Sequence, residues 1–259
     1  MSSKKKVDII VEARLGSSRF PGKVLKKIGN KTALEVMIER LKYIPGVDDI
    51  IIATTNNKED LKISQIAKKN NVKFYRGSEK DVLKRVLLAA KKFKTDIIVE
   101  ITGDNPLIDY KISSEVIKFF LRNIKKYDYV SNDVGLYLEK YSTITPLGFN
   151  TKVFSTKLLQ KVDRIAKHPL DREHVVNYIV KNFKKYRIYN VDLPKFLKKK
   201  NFRLTMDYKK DYEVIKKVYN NLYPKNKKFT SKDIVAYFKN NPKVKLLNAH
   251  CEQLKYNYN

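Results

Sequence analysis

Arg14, Gly16, Ser17, Ser18, Arg19, Pro21, Gly22 and Lys23 follow one another in one short stretch, and together they suit a chain of phosphates. Glycine has no Cβ and lets backbone N–H groups come close to phosphate oxygens, while guanidinium and ammonium groups neutralise the charge that remains. The spacing excludes the two commonest phosphate signatures. Lys23 is followed by Val24 rather than Ser or Thr, so this is not a P-loop, and Gly16 and Gly22 fall short of the three glycines of the dinucleotide fingerprint. A second candidate is Gly103-Asp104-Asn105-Pro106. A carboxylate just past an apolar run can hold a divalent cation, or it can close a turn by accepting from nearby amides, and the residues alone leave both open. His168, His174 and His250 lack the spacing of a zinc site.

The elements around these residues alternate. Val7, Ile9, Ile10 and Val11 form the continuous apolar run of a strand buried on both faces, and similar runs occupy 49–54, 72–75 and 96–102, with further strands at 127–131 and 186–193. Helical periodicity covers 31–43 (capped by Asn30 or Thr32), a segment carrying Leu61, Ile63 and Ile66, and 111–126, 155–166, 171–183, 214–222 and 231–238. Ser78 and Asp81 have capping-box spacing ahead of Val82, Leu83, Val86, Leu87 and Ala90. Strands alternating with helices predict a parallel sheet with right-handed crossovers. Its ligands belong beyond the carboxyl ends of the strands, where residues 14–23, Thr54, Thr55 and Arg76 to Ser78 would gather. Between 133 and 145 the pattern thins, and from 240 onward the tail is polar and reads as surface packing.

At 259 residues the chain can bury a large α/β core. It has no run of about 18 apolar residues, which excludes a membrane-spanning helix, and no leader-length apolar segment follows the basic start. Cys251 stands alone, so an internal disulfide is impossible and a reducing cytoplasm is the expected compartment. The net charge of +29 would suit nucleic acid, but the lysines are scattered over nearly every helix rather than gathered into a stripe. They read as a solvated surface whose field helps to recruit an anionic ligand.

Ala13-Arg14-x-Gly16-Ser17-x-Arg19-x-Pro21-Gly22-Lys23 matches position by position the loop of the spore-coat-polysaccharide type of cytidylyltransferase, related to the enzymes that activate 3-deoxy-manno-octulosonate and sialic acids as CMP-sugars. The sequence resembles that family at further landmarks: Arg76-Gly77-Ser78 with Asp81, Val82, Leu83 and Arg85; Thr102 to Asp109; Asp171-Arg172-Glu173-His174-Val175; and Arg203-Leu204-Thr205-Met206-Asp207. The resemblance implies one domain over 1–259 with a Rossmann-like nucleotidyltransferase sheet of the glycosyltransferase-A type, mostly parallel, and an acceptor and dimerisation arm at about 133–193. It implies CTP as donor, a small-molecule acceptor, Mg²⁺ on Asp104 and Asp207, and a homodimer. Arg14, Arg19 and Lys23 are the implied catalytic cations. Ala13, Leu15, Gly16, Ser17, Ser18, Thr54, Arg76, Gly77, Ser78 and Asp81 would bind the nucleotide, and Arg85, Glu173 and His174 the acceptor.

Three positions depart from the family. Glu100 stands where members often carry Arg, and Asn150 and Lys152 replace two acids, a change that suits a more anionic acceptor. Two other functions compete. A metal-dependent glycosyltransferase would use Asp104 alike, but a diphosphate donor needs fewer cations than Arg14, Arg19 and Lys23 supply. A basic nucleic-acid-binding protein would need the concentrated stripe that is absent.

Overall fold

The computed structural model of the protein describes residues 4–134, 146–198 and 200–252. The strands are β1 (Val7–Glu12), a short hairpin β2 (Lys27–Ile28) and β3 (Lys31–Thr32), β4 (Asp49–Thr55), β5 (Lys73–Gly77), β6 (Ile97–Thr102), β7 (Tyr129–Ser131), β8 (Lys152–Ser155) and β9 (Ile188–Asn190). The helices are α1 (Ala33–Leu41), α2 (Leu61–Lys69), α3 (Val82–Lys92), α4 (Tyr110–Arg122), α5 (Thr156–Ile165), α6 (Pro169–Glu173), α7 (Asn177–Lys181), α8 (Lys209–Leu222), α9 (Ser231–Asn240) and α10 (Pro242–Leu246).

Seven strands form one sheet in the order β5-β4-β1-β6-β8-β7-β9. All its pairings are parallel except those of β8, which runs antiparallel to both β6 and β7. The chain leaves β1 toward β4 and β5, then returns to the other side of β1 as β6. That reversal makes a crevice at the carboxyl ends of β1 and β6, the place where open α/β sheets bind ligands.

Both faces of the sheet are covered, which is why its strands read as unbroken apolar runs. Ile9, Val11, Ile50, Ile52, Val99 and Ile101 pack under α1, α2 and α4, and the alternate positions Ile10, Ile51, Ala53 and Ile98 pack under α3 and α5. A third cluster, including Leu204, Met206, Val214, Val218 and Ile234, seats α8 and α9 against the hairpin and α1. Arg40 ties this cluster to the rest: buried, it donates to the carbonyls of Ile108 and Phe229 at 2.8 and 2.9 Å.

Several expectations need correction. Thr32, not Asn30, caps α1, in a reciprocal box with Glu35. The cap of α3 is Asp81, whose carboxylate accepts from Lys84 N–H, while Ser78 only accepts from Asp81 N–H; the helix therefore starts three residues later than a Ser78 cap requires. The helix expected over 171–183 is two pieces, α6 and α7, because His174 is extended and buried Val175 and Val176 turn into the core. Strand β8 has too short an alternation to be recognised in sequence. The polar tail contains α10 and then Asn248, which is buried rather than superficial. Within the region 133–193, residues 135–145 lie outside the described ones; β8 and β9 join the main sheet and α5 covers it.

Candidate active site

The loop after β1 is held in shape by groups far away in sequence. Leu15 N–H donates to Asp60 Oδ1 at 2.8 Å, and Thr55 Oγ donates to the other oxygen of Asp60. Gly22 N–H closes the loop on Leu15 O at 2.9 Å, with Gly22 at φ 66°, a backbone conformation that a side chain would strain. The next residue, Lys23, is thereby aimed back across the crevice.

Its ammonium lies between two carboxylates, 3.1 Å from Asp104 Oδ2 and 3.0 Å from Asp207 Oδ1. Asp104 follows β6 directly. Asp207, in contrast, ends no strand; it lies in an irregular segment that crosses Asp104, tied by Met206 N–H to Asp104 O at 2.8 Å and by the bridge from Leu147 to Arg203. Asp207 is also fixed by Arg19 at 3.1 Å and Arg203 at 2.8 Å. Arg203 and the amides of Asp207 and Tyr208 all bond Asp211, which Asn248 bonds in turn at 2.8 Å. Arg203, Asp207 and Asp211 stand four residues apart, a spacing that the sequence analysis did not single out.

These groups border a cavity of about 440 Å³, a size suited to a small-molecule ligand. Ala13, Arg14, Ser17, Ser18, Arg19, Lys23, Arg85, Asp104, Glu173, His174 and Asp207, all expected at a site, line it. Arg14 spans the opening between Glu79 and Glu173, at 3.7 and 3.6 Å.

A family model described as Cytidylyltransferase matches residues 9–238. The chain belongs to the cytidylyltransferase family. It is 36% identical over 247 residues to an uncharacterized protein of Methanocaldococcus jannaschii, covering 95% of this chain and 96% of that one. It is 32% identical over 215 residues to the spore coat polysaccharide biosynthesis protein SpsF of Bacillus subtilis, covering 81% and 85%. A solved cytidylyltransferase from Leptospira borgpetersenii superposes with a TM-score of 0.86 at 33% identity, covering 98% of this chain and all of that one. The CMP:2-keto-3-deoxy-manno-octonic acid synthetase solved with CTP shares the fold, at a TM-score of 0.62 and 16% identity over 84% of this chain and 99% of that one.

Not every expected residue of this cytidylyltransferase reaches the cavity. Leu15, Gly16, Thr54, Arg76, Gly77, Ser78 and Asp81 are absent from its lining. Thr54 is buried in β4, Arg76 donates to the carbonyls of Thr55 and Asn57, and Asp81 pairs with Arg172 at 2.6 Å. They build the frame that carries Arg14 and Arg85. Glu12 and Gly148, which have no role in the sequence, and Thr102, Asn105 and Thr205, which stand there only as neighbours of Asp104 and Asp207, also line the cavity. In the sequence Lys152 reads as surplus positive charge. Instead Lys152 is taken up by Glu100 at 3.0 Å, directly opposite it in the β6–β8 register, and Asn150 donates to Asp133 at 3.2 Å.

The electrostatics of the cytidylyltransferase cavity differ between its two sides. Burial alone would depress the Lys23 ammonium, but Asp104 and Asp207 outweigh it and raise its pKa, and Lys23 in turn overcomes burial to hold Asp104 below the usual carboxylate range. On the other side, burial and then the charge of Glu100 push Glu12 well above its ordinary value, and burial lowers His174.

Glu12 has a consequence for stability. A carboxyl whose folded pKa is raised stabilises the fold below its unfolded pKa, and that contribution is lost as pH rises through the folded value. Glu12→Gln is therefore expected to raise Tm more at pH 8 than at pH 4, which thermal denaturation at the two values would measure. An equal change at both would show that Glu12 ionises without penalty.

Proposed function

We propose that the protein transfers CMP from CTP to an oxygen of a small sugar-acid or sugar-phosphate acceptor, releasing pyrophosphate, in the synthesis of activated precursors for surface polysaccharides in the cytoplasm. The observation that carries the reading is the convergence of Lys23, Asp104 and Asp207 on one point of the crevice, with Arg19 beside them. Names among the relatives support the chemistry: a spore coat polysaccharide protein and enzymes called 3-deoxy-manno-octulosonate cytidylyltransferase.

The chain's own residues account for most of the work. Arg14, Arg19 and Lys23 would hold the triphosphate and stabilise the charge that collects on the departing pyrophosphate. Positioning of the α-phosphate against the acceptor oxygen falls to the loop pinned by Asp60 and Gly22. Arg19 and Arg203 lie over the Tyr208 ring at 5.1 and 5.7 Å, so both guanidiniums are set before a ligand arrives.

The donor set also fits Mg²⁺. Two carboxylates offer one oxygen each to a single cationic atom, now Lys23 Nζ, and a magnesium site needs few protein ligands because phosphate and water supply the rest. Asp104 and Asp207 would hold the ion, which when bound offsets phosphate charge and lowers the pKa of a coordinated oxygen.

Thermal shift with the four nucleoside triphosphates and Mg²⁺ tests the reading first. CTP is expected to raise Tm most, since at about a hundred times Kd a ligand of the native state adds roughly 2.7 kcal/mol. Pyrophosphate should then appear when CTP and 3-deoxy-manno-octulosonate are mixed with the protein. No stabilisation by any triphosphate would dismiss the proposal.

A further inference from the structure

The family match closes at residue 238, inside α9, yet the chain beyond it reaches back to the Asp207 side of the crevice. Helix α10 packs on α8 and α9, with Val244 and Leu247 against the third core cluster. The turn that follows, closed by Cys251 N–H on Asn248 O at 3.0 Å, carries Asn248 inward until it is only 2% exposed. A side-chain amide has two N–H donors, and here both have acceptors. Nδ2 donates to Arg203 O at 3.0 Å and to Asp211 Oδ1 at 2.8 Å.

Asp211 is what that amide holds in place. A carboxylate at the third position of a helix ordinarily bonds the N–H of the cap, here Tyr208 N–H at 2.9 Å. Fully buried Asp211 accepts three bonds more, from Asp207 N–H at 3.0 Å, from Arg203 Nε at 2.9 Å and from Asn248. Capping a helix does not require them. Arg203 reaches onward with its other edge, Nη2 to Asp207 Oδ2 at 2.8 Å, so one rigid planar fork joins the two acids. That bond restrains rotation of the Asp207 carboxylate and leaves Oδ1 toward the crevice, 3.0 Å from Lys23 Nζ. The orientation of Asp207 is thus set through Arg203 and Asp211, and a single side chain of the C-terminal segment ties both.

We propose that Asn248 is a positioning residue of the magnesium and nucleotide site, and that the C-terminal segment thereby completes a site whose ligands all precede it in the chain. This deepens the nucleotidyl-transfer reading and rests on it. Asn248 touches no substrate; it acts on the groups behind a metal ligand, and losing such support weakens metal binding by about 10–100-fold. With the amide removed, Arg203 O and Asp211 Oδ1 each lose a donor, and the fork is free to tilt. Arg14 and Lys23 keep their own partners. The weakening is therefore confined to the metal-dependent part of nucleotide affinity.

The test is calorimetric, on the full chain titrated with a CTP analogue bearing a methylene bridge between its α- and β-phosphates, first in EDTA and then across a series of Mg²⁺ concentrations. Asn248→Ala is expected to keep the metal-free affinity within about twofold of wild type and to raise the Mg²⁺ concentration for half-maximal enhancement about tenfold, the low end for a supporting residue. Asn248→Ser, which retains one donor, should shift it the same way by less. Ile63→Val, in the core cluster under α2, controls for stability: it should lower Tm without moving the Mg²⁺ requirement. A Mg²⁺ requirement of Asn248→Ala within about twofold of wild type overturns the inference, as does an equal shift in Ile63→Val. Loss of metal-free binding in both Asn248 variants overturns it too, since the role would then be structural alone. A wild type that binds the analogue without responding to Mg²⁺ removes the metal assignment beneath it, and one that does not bind the analogue at all removes the nucleotidyl-transfer reading.

Discussion

Lys23→Ala is expected to lower pyrophosphate release from CTP by about 10³-fold, the upper range for losing one preorganised group that meets developing charge. Lys23 is 3.1 Å from Asp104 and 3.0 Å from Asp207, with its side chain only 13% exposed, so its loss both removes a phosphate partner and leaves two carboxylates facing each other. Asp207 keeps Arg19 and Arg203, so the fold should survive and thermal denaturation should stay cooperative. Lys23→Arg separates charge from shape, because a planar fork cannot take the place of a point charge between two acids. Its rate should fall between those of wild type and Lys23→Ala. A continuous assay for pyrophosphate decides the matter: activity of Lys23→Ala within tenfold of wild type would take Lys23 out of the reaction.

Gly103→Ala should damage stability and turnover together. A Cβ built on Gly103 would stand 2.5 Å from the backbone oxygen of Glu12 and 3.2 Å from Ala13 Cβ. The same oxygen accepts the Gly103 N–H at 2.8 Å, so the ends of β1 and β6 would have to part where the crevice opens. Overpacking of this kind costs about 1–3 kcal/mol. Asp104 is the next residue, and a shift of about 1 Å in a positioning group can cost around 10²-fold in rate. Gly16→Ala is the control. Its Cβ would meet only the tip of the Glu79 side chain at 3.0 Å, which can swing away, so stability should change little. Urea denaturation of the two variants compares them directly; equal stability would show that close strand approach at Gly103 is dispensable.

The sequence by itself determined the alternation of strands and helices, since both-face burial writes itself as unbroken apolar runs at 7–11, 49–54 and 96–102. It marked the loop at 14–23 as well, because Gly16 to Lys23 are contiguous and their chemistry is local. What depends on strand register could not be read there. Glu100 and Lys152 are 52 residues apart and become partners only because β8 inserts antiparallel beside β6, a choice made by packing over the whole sheet. The same holds for Asn248, whose place behind Asp211 turns an apparently superficial tail into support for Asp207. Local periodicity reports which side of an element is buried, whereas the pairing of distant charges is set by topology, and that is why the tertiary structure alone decided the character of the cavity floor.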